Sequence, residues 1–274
     1  MSSFAARQGR LIIVSNRLPV SINDNGKSKF ELKTSSGGLV TGLRGLANSG
    51  VEFLWFGWPG LEVAKKDASS LKSTLREEHN AIPVMLDQHT SDRFYNGFSS
   101  MHPINPTTRK HTDVAITDST IWPLFHYQLD KVTFDDGAML AYRKANKIFA
   151  DTIMPHLEDG DHIWVHDYHL MLLPLMIRQR AERMSINITI GWFLHTTFPS
   201  SDFLDVLPSR RDILDGILGA DLVGFQTDQA RTNFLNACSQ TLYVKSCPTR
   251  HPIKVLIVFQ KMVVDRHRHP LWRS

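Results

Sequence analysis

The apolar positions of this chain form short runs that alternate with longer segments of helical periodicity. Most of the short runs have the length and composition of buried strands; they are Leu11–Val14, Phe53–Trp58, Ile82–Leu86, Ile163–Val165, Ile188–Leu194 and Leu222–Phe225. Apolar residues recur every three or four positions in the segments between them, which predicts helices; these are Leu39–Asn48, Met139–His156, Leu170–Met184, Arg210–Leu218 and Asp228–Thr241. Strands that alternate with helices build βαβ crossovers, so the pattern predicts an α/β fold with a mostly parallel sheet and helices on both faces.

Several predicted strands run directly into hydrogen-bonding side chains. The first ends in Ser15-Asn16-Arg17, and the later ones end in His166-Asp167-Tyr168-His169, His195-Thr196-Thr197 and Gln226-Thr227. Ligands bind at the carboxyl ends of the strands in open α/β sheets, because these ends surround a common crevice. We therefore expect these strand ends to line one binding cleft.

Two of these strand ends and one glycine pair have both a functional and an ordinary interpretation. The guanidinium of Arg17 is a planar donor fork suited to phosphate or carboxylate, although a pair with a surface acid is equally consistent with the sequence. Gly37 and Gly38 precede a predicted helix, where backbone N–H groups can bind an anion, but an ordinary turn requires the same glycines. Asp167 follows a buried strand and therefore needs a partner or a ligand.

The two histidines beside Asp167 suggest a metal site only weakly. His166 and His169 lie three positions apart, yet the sequence offers no supporting Cys or His group at metal-ligand spacing. The alternative is structural, with one imidazole satisfied in the core and the other capping the following helix. We therefore predict no metal.

Aromatic side chains surround a long polar stretch in the middle of the chain. Tyr95, Trp122, Phe125 and Tyr127 fit a core, although rings with a polar edge also bind hexoses. Between them, Ser99–Ser119 is rich in Pro and Thr and longer than loops in compact domains usually are. We expect this stretch to be an exposed loop.

Composition and charge exclude several classes of protein. At 274 residues and 42% hydrophobic composition the chain can bury a sizeable core. It contains no apolar run long enough for a membrane span or a secretory signal, and its two cysteines fit a reducing compartment, so we expect a cytoplasmic protein. The net charge of +4 comes from the end of the chain, where seven of the 31 Lys and Arg but one of the 27 acids follow Val244. The slightly acidic remainder argues against nucleic acid as a partner.

Taken together, the motifs closely resemble those of the trehalose-6-phosphate synthases, glycosyltransferases that join glucose from UDP-glucose to glucose 6-phosphate. The matching segments stand in family order from about residue 10 to about residue 245; they are Ile13–Val20, Ser36–Leu39, Leu54–Trp58, Tyr95–Ser99, Trp122–Tyr127, His166–Leu170 and Phe193–Ser200. The resemblance implies the N-terminal Rossmann-like domain of a GT-B glycosyltransferase, whose two domains face each other across a cleft.

The resemblance also implies roles for single residues on the acceptor side of that cleft. Arg17, Tyr95, Trp122 and Asp167 match positions that bind glucose 6-phosphate. Arg17 and Tyr95 would contact the phosphate, whereas Asp167 would bind sugar hydroxyls.

On the donor side, Gly37 and Gly38 match a loop that meets the phosphates of UDP-glucose, and His195 matches a histidine close to the donor glucose. We assign Asp167 and His195 to catalysis. The implied reaction retains the anomeric configuration and uses neither a metal ion nor another cofactor, so hydrogen-bond donors would stabilise the leaving diphosphate.

The same resemblance defines the expected domain limits. In the family about nine positions separate the residues that match Tyr95 and Trp122, whereas this chain holds roughly 18 more. We expect an acceptor-side domain over residues 1–246 with an insert at about 100–118, followed by a divergent basic tail over 247–274. The donor domain would then be absent, which makes the activity of the family a weaker expectation for this chain alone.

Two other functions are compatible with the sequence. The first is a non-catalytic subunit that senses sugar phosphates or docks on a trehalose synthase complex. The second is a nucleotide-binding module unrelated to sugars, which would place a glycine-rich phosphate loop directly after the first strand. We rank it last, because Ser15–Pro19 occupies that position.

Overall fold

The computed structural model of the chain describes residues 9–24, 30–35, 40, 51–99, 120–242 and 254–257. These residues form one seven-stranded sheet, a two-stranded hairpin and the helices that pack on them. Within the described ranges, no helix combines the length and apolar character that a membrane crossing requires.

The seven-stranded sheet is parallel throughout. In chain order the strands are β1 (Leu11–Arg17), β2 (Val20–Asp24), β3 (Phe30–Thr34), β4 (Phe53–Trp58), β5 (Ala81–Pro83), β6 (His162–His166), β7 (Thr189–Leu194), β8 (Leu222–Phe225) and β9 (Lys254–Ile257). Across the sheet they follow the order β5-β4-β1-β6-β7-β8-β9, while β2 and β3 form the antiparallel hairpin. The chain thus progresses outwards from β1 in both directions, which is the Rossmann arrangement. The order reverses between β1 and β6.

Helices connect the strands. They are α1 (Lys65–His79), α2 (Gln88–Ser91), a π-helix (Asp92–Ser99), α3 (Ile121–Phe125), α4 (Asp136–Ile153), α5 (Leu173–Arg183), α6 (Ser201–Leu204), α7 (Arg210–Ile217) and α8 (Asp228–Leu242). Asp135 caps the N-terminus of helix α4, because its carboxylate accepts a 2.7 Å hydrogen bond from the N–H of Gly137. Helix α1 ends at Asn80, which adopts the left-handed conformation typical of a helix C-terminus.

Two hydrophobic cores lie on opposite faces of the sheet. The larger core packs α4, α5, α7 and α8 against alternate residues of the central strands, such as Val14, Val165 and Trp192. The smaller core packs the β2–β3 hairpin and α1 against Ile13 and Trp55. The prediction of a parallel sheet with helices on both faces is therefore confirmed.

The sequence pattern missed several elements that the structure contains, namely α1, the hairpin strands β2 and β3, the π-helix and the short helices α2, α3 and α6. Helix α1 buries only Leu71 and Leu75 completely and is otherwise largely polar, so its apolar stripe is too narrow to give a clear period. The two hairpin strands have five residues each and the π-helix has eight, so these elements are too short to give a clear period. The predicted helix Leu39–Asn48 lies outside the described residues except for Val40, and so do Gly37 and Gly38.

The two segments that flank the predicted insert contact each other and the same core. Residues 100–119 lie outside the described part of the chain, but the π-helix before them and α3 after them are in contact. Ser99 and Thr120 are both buried, and the Thr120 hydroxyl donates a 2.6 Å hydrogen bond to the carbonyl of Thr133. Tyr95 and Trp122 pack against the larger core on either side of this junction.

Strand β9 extends the sheet beyond β8, and Val255 packs against the larger core. The strand lies within residues 247–274, the segment that the sequence predicts to be a divergent basic tail. The predicted domain limit at residue 246 stays a prediction, because residues 243–253 and 258–274 lie outside the described ranges.

A buried ion pair joins the segments that enter β1 and β6. The guanidinium of Arg10 donates to both carboxylate oxygens of Asp161, at 3.2 and 2.8 Å, and Asp161 also accepts a 2.9 Å bond from the N–H of Glu158. Burial alone would raise the pKa of Asp161, but the hydrogen bonds from Arg10 and Glu158 hold that pKa below its ordinary value. The pair therefore fixes the two central strands at the edge opposite the predicted cleft.

Replacing Asp161 with Asn should lower the free energy of unfolding by about 3 kcal/mol at neutral pH, because it removes the buried partner of Arg10 and leaves the half-exposed Glu158 to balance its charge. Urea denaturation measures the effect, and Asp130→Asn on the surface is the matched control. The difference should be fully present above about pH 4 and disappear as the pH falls through the lowered pKa of Asp161. Equal stabilities of the two variants would contradict this role.

Candidate functional site

The carboxyl ends of β1, β6 and β7 bring several of the predicted residues to one edge of the sheet. Strand β1 ends at Arg17, β6 leads into Asp167, and β7 leads into His195. Strands β1 and β6 pair directly, and His166 pairs with Phe193 on β7. The edge therefore lies at the switch point of strand order, where a Rossmann sheet opens a crevice for ligands.

Arg17 lies against two aromatic rings at the start of this edge. Its guanidinium carbon is 4.2 Å from the ring centre of Trp58 and 5.0 Å from that of Tyr95. Gly60 has a φ of 92°, and an added Cβ there would collide with the guanidinium. Within the described residues Arg17 is exposed, and the groups that shift its pKa include Tyr95 but no carboxylate. The cation is therefore held in place by ring faces and has donors available for an anion.

Asp167 adopts a left-handed backbone conformation that is rare for residues other than glycine, with φ of 71°. Its N–H donates a 2.7 Å hydrogen bond to the carbonyl of Phe193, and its carbonyl accepts a 3.2 Å bond from the indole of Trp192. Its carboxylate accepts a 3.3 Å bond from the N–H of His195. Strand β7 thus orients both the backbone and the carboxylate of Asp167.

Burial raises the pKa of Asp167 to about 6, although hydrogen bonds from the N–H groups of His195 and Tyr168 act in the opposite direction. A carboxylate in this state lacks enough partners to offset its desolvation. A ligand that donates hydroxyl hydrogen bonds would supply them.

Helix α4 holds the turn that follows Asp167. The buried hydroxyl of Tyr142 donates a 2.7 Å hydrogen bond to the carbonyl of Tyr168 and accepts a 2.9 Å bond from the N–H of Met171. The side-chain amide of Asn146 donates to the carbonyl of His169 at 3.2 Å. These side chains therefore fix the backbone from Tyr168 to Met171 from outside the turn.

Two histidines lie side by side next to Asp167. Nδ1 of His166 is 3.0 Å from Nε2 of His195. Burial lowers the pKa of His195 to about 4, and burial together with His195 holds the pKa of His166 well below its ordinary value. Both imidazoles are therefore neutral at pH 7.

His169 connects the arginine to the turn after Asp167. Its ring stacks on Tyr95, with centroids 5.9 Å apart, and on Tyr168 at 4.2 Å. Burial and the nearby charge of Arg17 lower the pKa of His169 to about 3, so this imidazole is also neutral. Arg17, Tyr95 and the Asp167 turn thus form one continuous group of contacts.

Trp122 belongs to a neighbouring group on α3. Its ring stacks on His126, with centroids 4.0 Å apart, and Nε2 of His126 lies 3.5 Å from the hydroxyl of Thr196. The hydroxyl of Thr197 also donates to the carbonyl of Phe125. The segment that carries Trp122 is therefore fastened to the loop that carries His195.

The structure brings the predicted residues together in part. Arg17 contacts Tyr95, Asp167 contacts His195, and Trp122 lies beside the loop after β7. Within the described ranges, no group of three or more Cys, His, Asp or Glu side chains could hold a metal ion. The two glycines predicted for the donor loop lie outside those ranges.

Four contributing residues were not predicted as part of the site. Trp58 stands inside the matching segment Leu54–Trp58, so the sequence did point to it, although the resemblance assigned it no contact with Arg17. His126 had the same kind of signal, because it stands inside the matching segment Trp122–Tyr127. Tyr142 and Asn146 had none, because each acts on a backbone segment far away in sequence.

The sheet order and the cleft at its switch point define a Rossmann-like domain of the kind found in GT-B glycosyltransferases. The chain belongs to glycosyltransferase family 20, whose model matches residues 9–265. The expected family and fold are thus confirmed.

Individual relatives agree with this assignment. The chain is 46% identical to a UDP-forming alpha,alpha-trehalose-phosphate synthase of Emericella nidulans over 241 residues, which cover 88% of this chain and 44% of the relative. It is 48% identical to the 56 kDa subunit of the corresponding enzyme of Kluyveromyces lactis over 242 residues, covering 88% of this chain and 46% of that one. The solved structure of a UDP-forming alpha,alpha-trehalose-phosphate synthase from Burkholderia vietnamiensis matches with a TM-score of 0.63 and 28% identity, over 85% of this chain and 43% of that chain. The chain spans about half the length of these relatives.

Replacing Tyr142 with Phe should lower the free energy of unfolding by about 2 kcal/mol, because it leaves a buried carbonyl and a buried N–H without their hydrogen bonds. Tyr127→Phe is the matched control, since Tyr127 is an exposed residue whose hydroxyl makes contacts of 3.4 Å only. Urea denaturation of both variants measures the difference. Equal losses would mean that the Tyr142 hydroxyl does not hold the turn.

Asp167 should make the folded chain less stable as the pH rises from about 4 to about 6. Its pKa is raised to about 6 in the folded state, so the folded chain retains a proton that the unfolded chain has already lost. Replacing Asp167 with Asn should remove this decline and stabilise the chain by about 1 to 2 kcal/mol above pH 6, an effect that the partial exposure of Asp167 limits. Unfolding energies of both proteins between pH 4 and pH 8 provide the test. Parallel curves would show that the Asp167 pKa is ordinary.

Proposed function

We propose that this chain carries the acceptor half of a trehalose-6-phosphate synthase site and binds glucose 6-phosphate at the switch point of the sheet. The observation that carries the proposal is the exposed guanidinium of Arg17 between Trp58 and Tyr95, joined through His169 to the turn of Asp167. A cation at one end and a poorly solvated carboxylate at the other match a sugar that carries one phosphate group.

In the proposed complex, the phosphate accepts hydrogen bonds from Arg17 and from the hydroxyl of Tyr95. A guanidinium suits a phosphate group because it offers several donors in one plane. The carboxylate of Asp167 then accepts hydrogen bonds from sugar hydroxyls, which replace part of the solvation that burial removes. Trp122 forms an apolar wall beside the sugar ring.

The complete reaction would transfer glucose from UDP-glucose to the bound acceptor. In this proposal, the acceptor hydroxyl attacks on the face that UDP leaves, so the anomeric configuration is retained. His195 lies beside the donor glucose, and Gly37 and Gly38 meet the donor phosphates. Neither a metal ion nor another cofactor takes part, so the leaving diphosphate is stabilised by hydrogen-bond donors alone.

Support for this reaction comes from the family and from the printed names of relatives, which are UDP-forming synthases. Because the chain spans about half their length, the reaction is proposed for the protein with its donor-binding half. We further propose a cytoplasmic setting, where nucleotide sugars and sugar phosphates are both present.

A second candidate function is that of a non-catalytic subunit that senses sugar phosphate or docks on a complete synthase. One observation favours the docking part of this function, namely that the Kluyveromyces lactis relative is named as a subunit of a UDP-forming synthase. Release of UDP by the purified chain with both substrates would favour the enzyme, whereas stable co-purification with a full-length synthase and no turnover would favour the subunit.

Calorimetric titration of the 274-residue chain with glucose 6-phosphate tests the acceptor site. Replacing Arg17 with Ala should weaken binding at least about tenfold, since it removes charge-assisted hydrogen bonds to the phosphate. Arg17→Lys should have an intermediate effect, because a lysine keeps the charge but loses the planar fork.

Arg76→Ala is the matched control, as Arg76 is an exposed arginine on α1. It should leave the affinity for glucose 6-phosphate unchanged. Glucose without the phosphate should bind the wild-type chain and the Arg17→Ala variant equally. No measurable binding of glucose 6-phosphate to the folded wild-type chain would refute the proposed acceptor site.

A further inference from the structure

The imidazole pair next to Asp167 contains a buried nitrogen atom that lacks a partner. His166 is 1% exposed, and its ring lies between Trp164, at a centroid distance of 4.7 Å, and His195, at 5.2 Å. Its Nδ1 lies 3.0 Å from Nε2 of His195. Its Nε2 is buried and forms no hydrogen bond within the described part of the chain. This arrangement restricts where the protons of the pair can lie.

Two neutral imidazoles that share one hydrogen bond must divide into a donor and an acceptor. In one arrangement, Nδ1 of His166 donates to Nε2 of His195, and His195 carries its own proton on Nδ1. In the other, Nε2 of His195 donates to Nδ1 of His166, and the proton of His166 then lies on Nε2. Low pKa values of both rings exclude a charged pair at pH 7.

The buried environment of His166 favours the first arrangement. The second would leave an N–H group of His166 buried without an acceptor, and such orphaned N–H groups are rarer in folded proteins than acceptors with an unused lone pair. The first arrangement leaves only an unprotonated nitrogen, Nε2 of His166, in the buried position. It therefore gives His195 a proton on Nδ1.

We propose that His166 is a positioning residue that holds His195 in the tautomer protonated at Nδ1, so that His195 offers a hydrogen-bond donor to an oxygen atom of a bound sugar. The His195 ring is only partly buried, so its second nitrogen is the atom of the pair that a ligand can reach. The inference deepens the proposed function, because it selects ligand groups that accept a hydrogen bond at this point. A ligand group that can only donate would be disfavoured.

Nuclear magnetic resonance of the 274-residue chain with ¹⁵N-labelled histidine tests the inference directly. Protonated and unprotonated imidazole nitrogens have well separated ¹⁵N shifts, and the His195→Gln variant identifies the signals of His195. At pH 7.5 we expect the Nδ1–H form of His195 to exceed the Nε2–H form roughly tenfold. A scalar coupling across the hydrogen bond should identify Nδ1 of His166 as the donor.

Substitutions of His166 separate positioning from simple packing. Phe keeps an aromatic ring but cannot donate, so His166→Phe should shift His195 to the Nε2–H form that an imidazole free in water prefers. Asn places an amide nitrogen where Nδ1 of the histidine was, so His166→Asn should preserve the Nδ1–H form. His162→Phe removes another histidine of β6 and should change neither tautomer nor coupling.

Each result decides the inference. A wild-type His195 protonated mainly at Nε2, or a coupling in which His195 is the donor, would overturn it, and both measurements stand even if His166→Phe does not fold. A folded His166→Phe variant that keeps the Nδ1–H form would also overturn it. The tautomer needs no ligand, so failure to bind glucose 6-phosphate would refute the proposed function without affecting this measurement.

Discussion

The left-handed backbone of Asp167 is the constraint on which the geometry of the cleft depends. Such a conformation costs a residue with a side chain about 1 to 3 kcal/mol, so neighbouring groups must hold it. Strand β7 does so through the carbonyl of Phe193 and the indole of Trp192, and Tyr142 of α4 secures the residues that follow. These contacts turn the carboxylate towards the loop of His195 instead of along its own strand. A sheet edge is thereby converted into a defined arrangement of polar groups.

Charge is distributed unevenly along this cleft. Arg17 places a permanent positive charge at one end, and its influence reaches His169, whose pKa it helps to lower. The imidazoles of His166, His169 and His195 are neutral. The carboxyl group of Asp167 ionises only when the pH rises towards 6. At neutral pH the electrostatic field therefore attracts an anion at the Arg17 end, whereas the ionised Asp167 at the other end repels an anion and accepts hydrogen bonds. A ligand with one charged group and several hydroxyls would enter this cleft in one orientation only.

The fold could be predicted from the sequence to a large extent, because buried parallel strands carry their own signal in runs such as Ile163–Val165. The strand ends of the site could be predicted for the same reason, since Arg17, Asp167 and His195 directly follow those runs. Tyr142 could not, because its hydroxyl acts on a backbone segment 26 positions away. Neither could the pairing of His166 with His195, which depends on the register between β6 and β7. Local patterns identify elements, whereas contacts between elements appear only when the chain has folded.

The buried junction of Ser99 and Thr120 has a consequence for how this protein can change over evolution. Both residues are anchored in the core, and the segments beside them carry Tyr95 and Trp122. The free energy of loop closure rises by only about 0.6 kcal/mol for each doubling of loop length, so a change in the number of residues between two fixed ends disturbs stability little. Length can therefore vary at this point while the two aromatic side chains keep their places. The junction marks a position where the family can acquire new sequence beside a site without having to rebuild it.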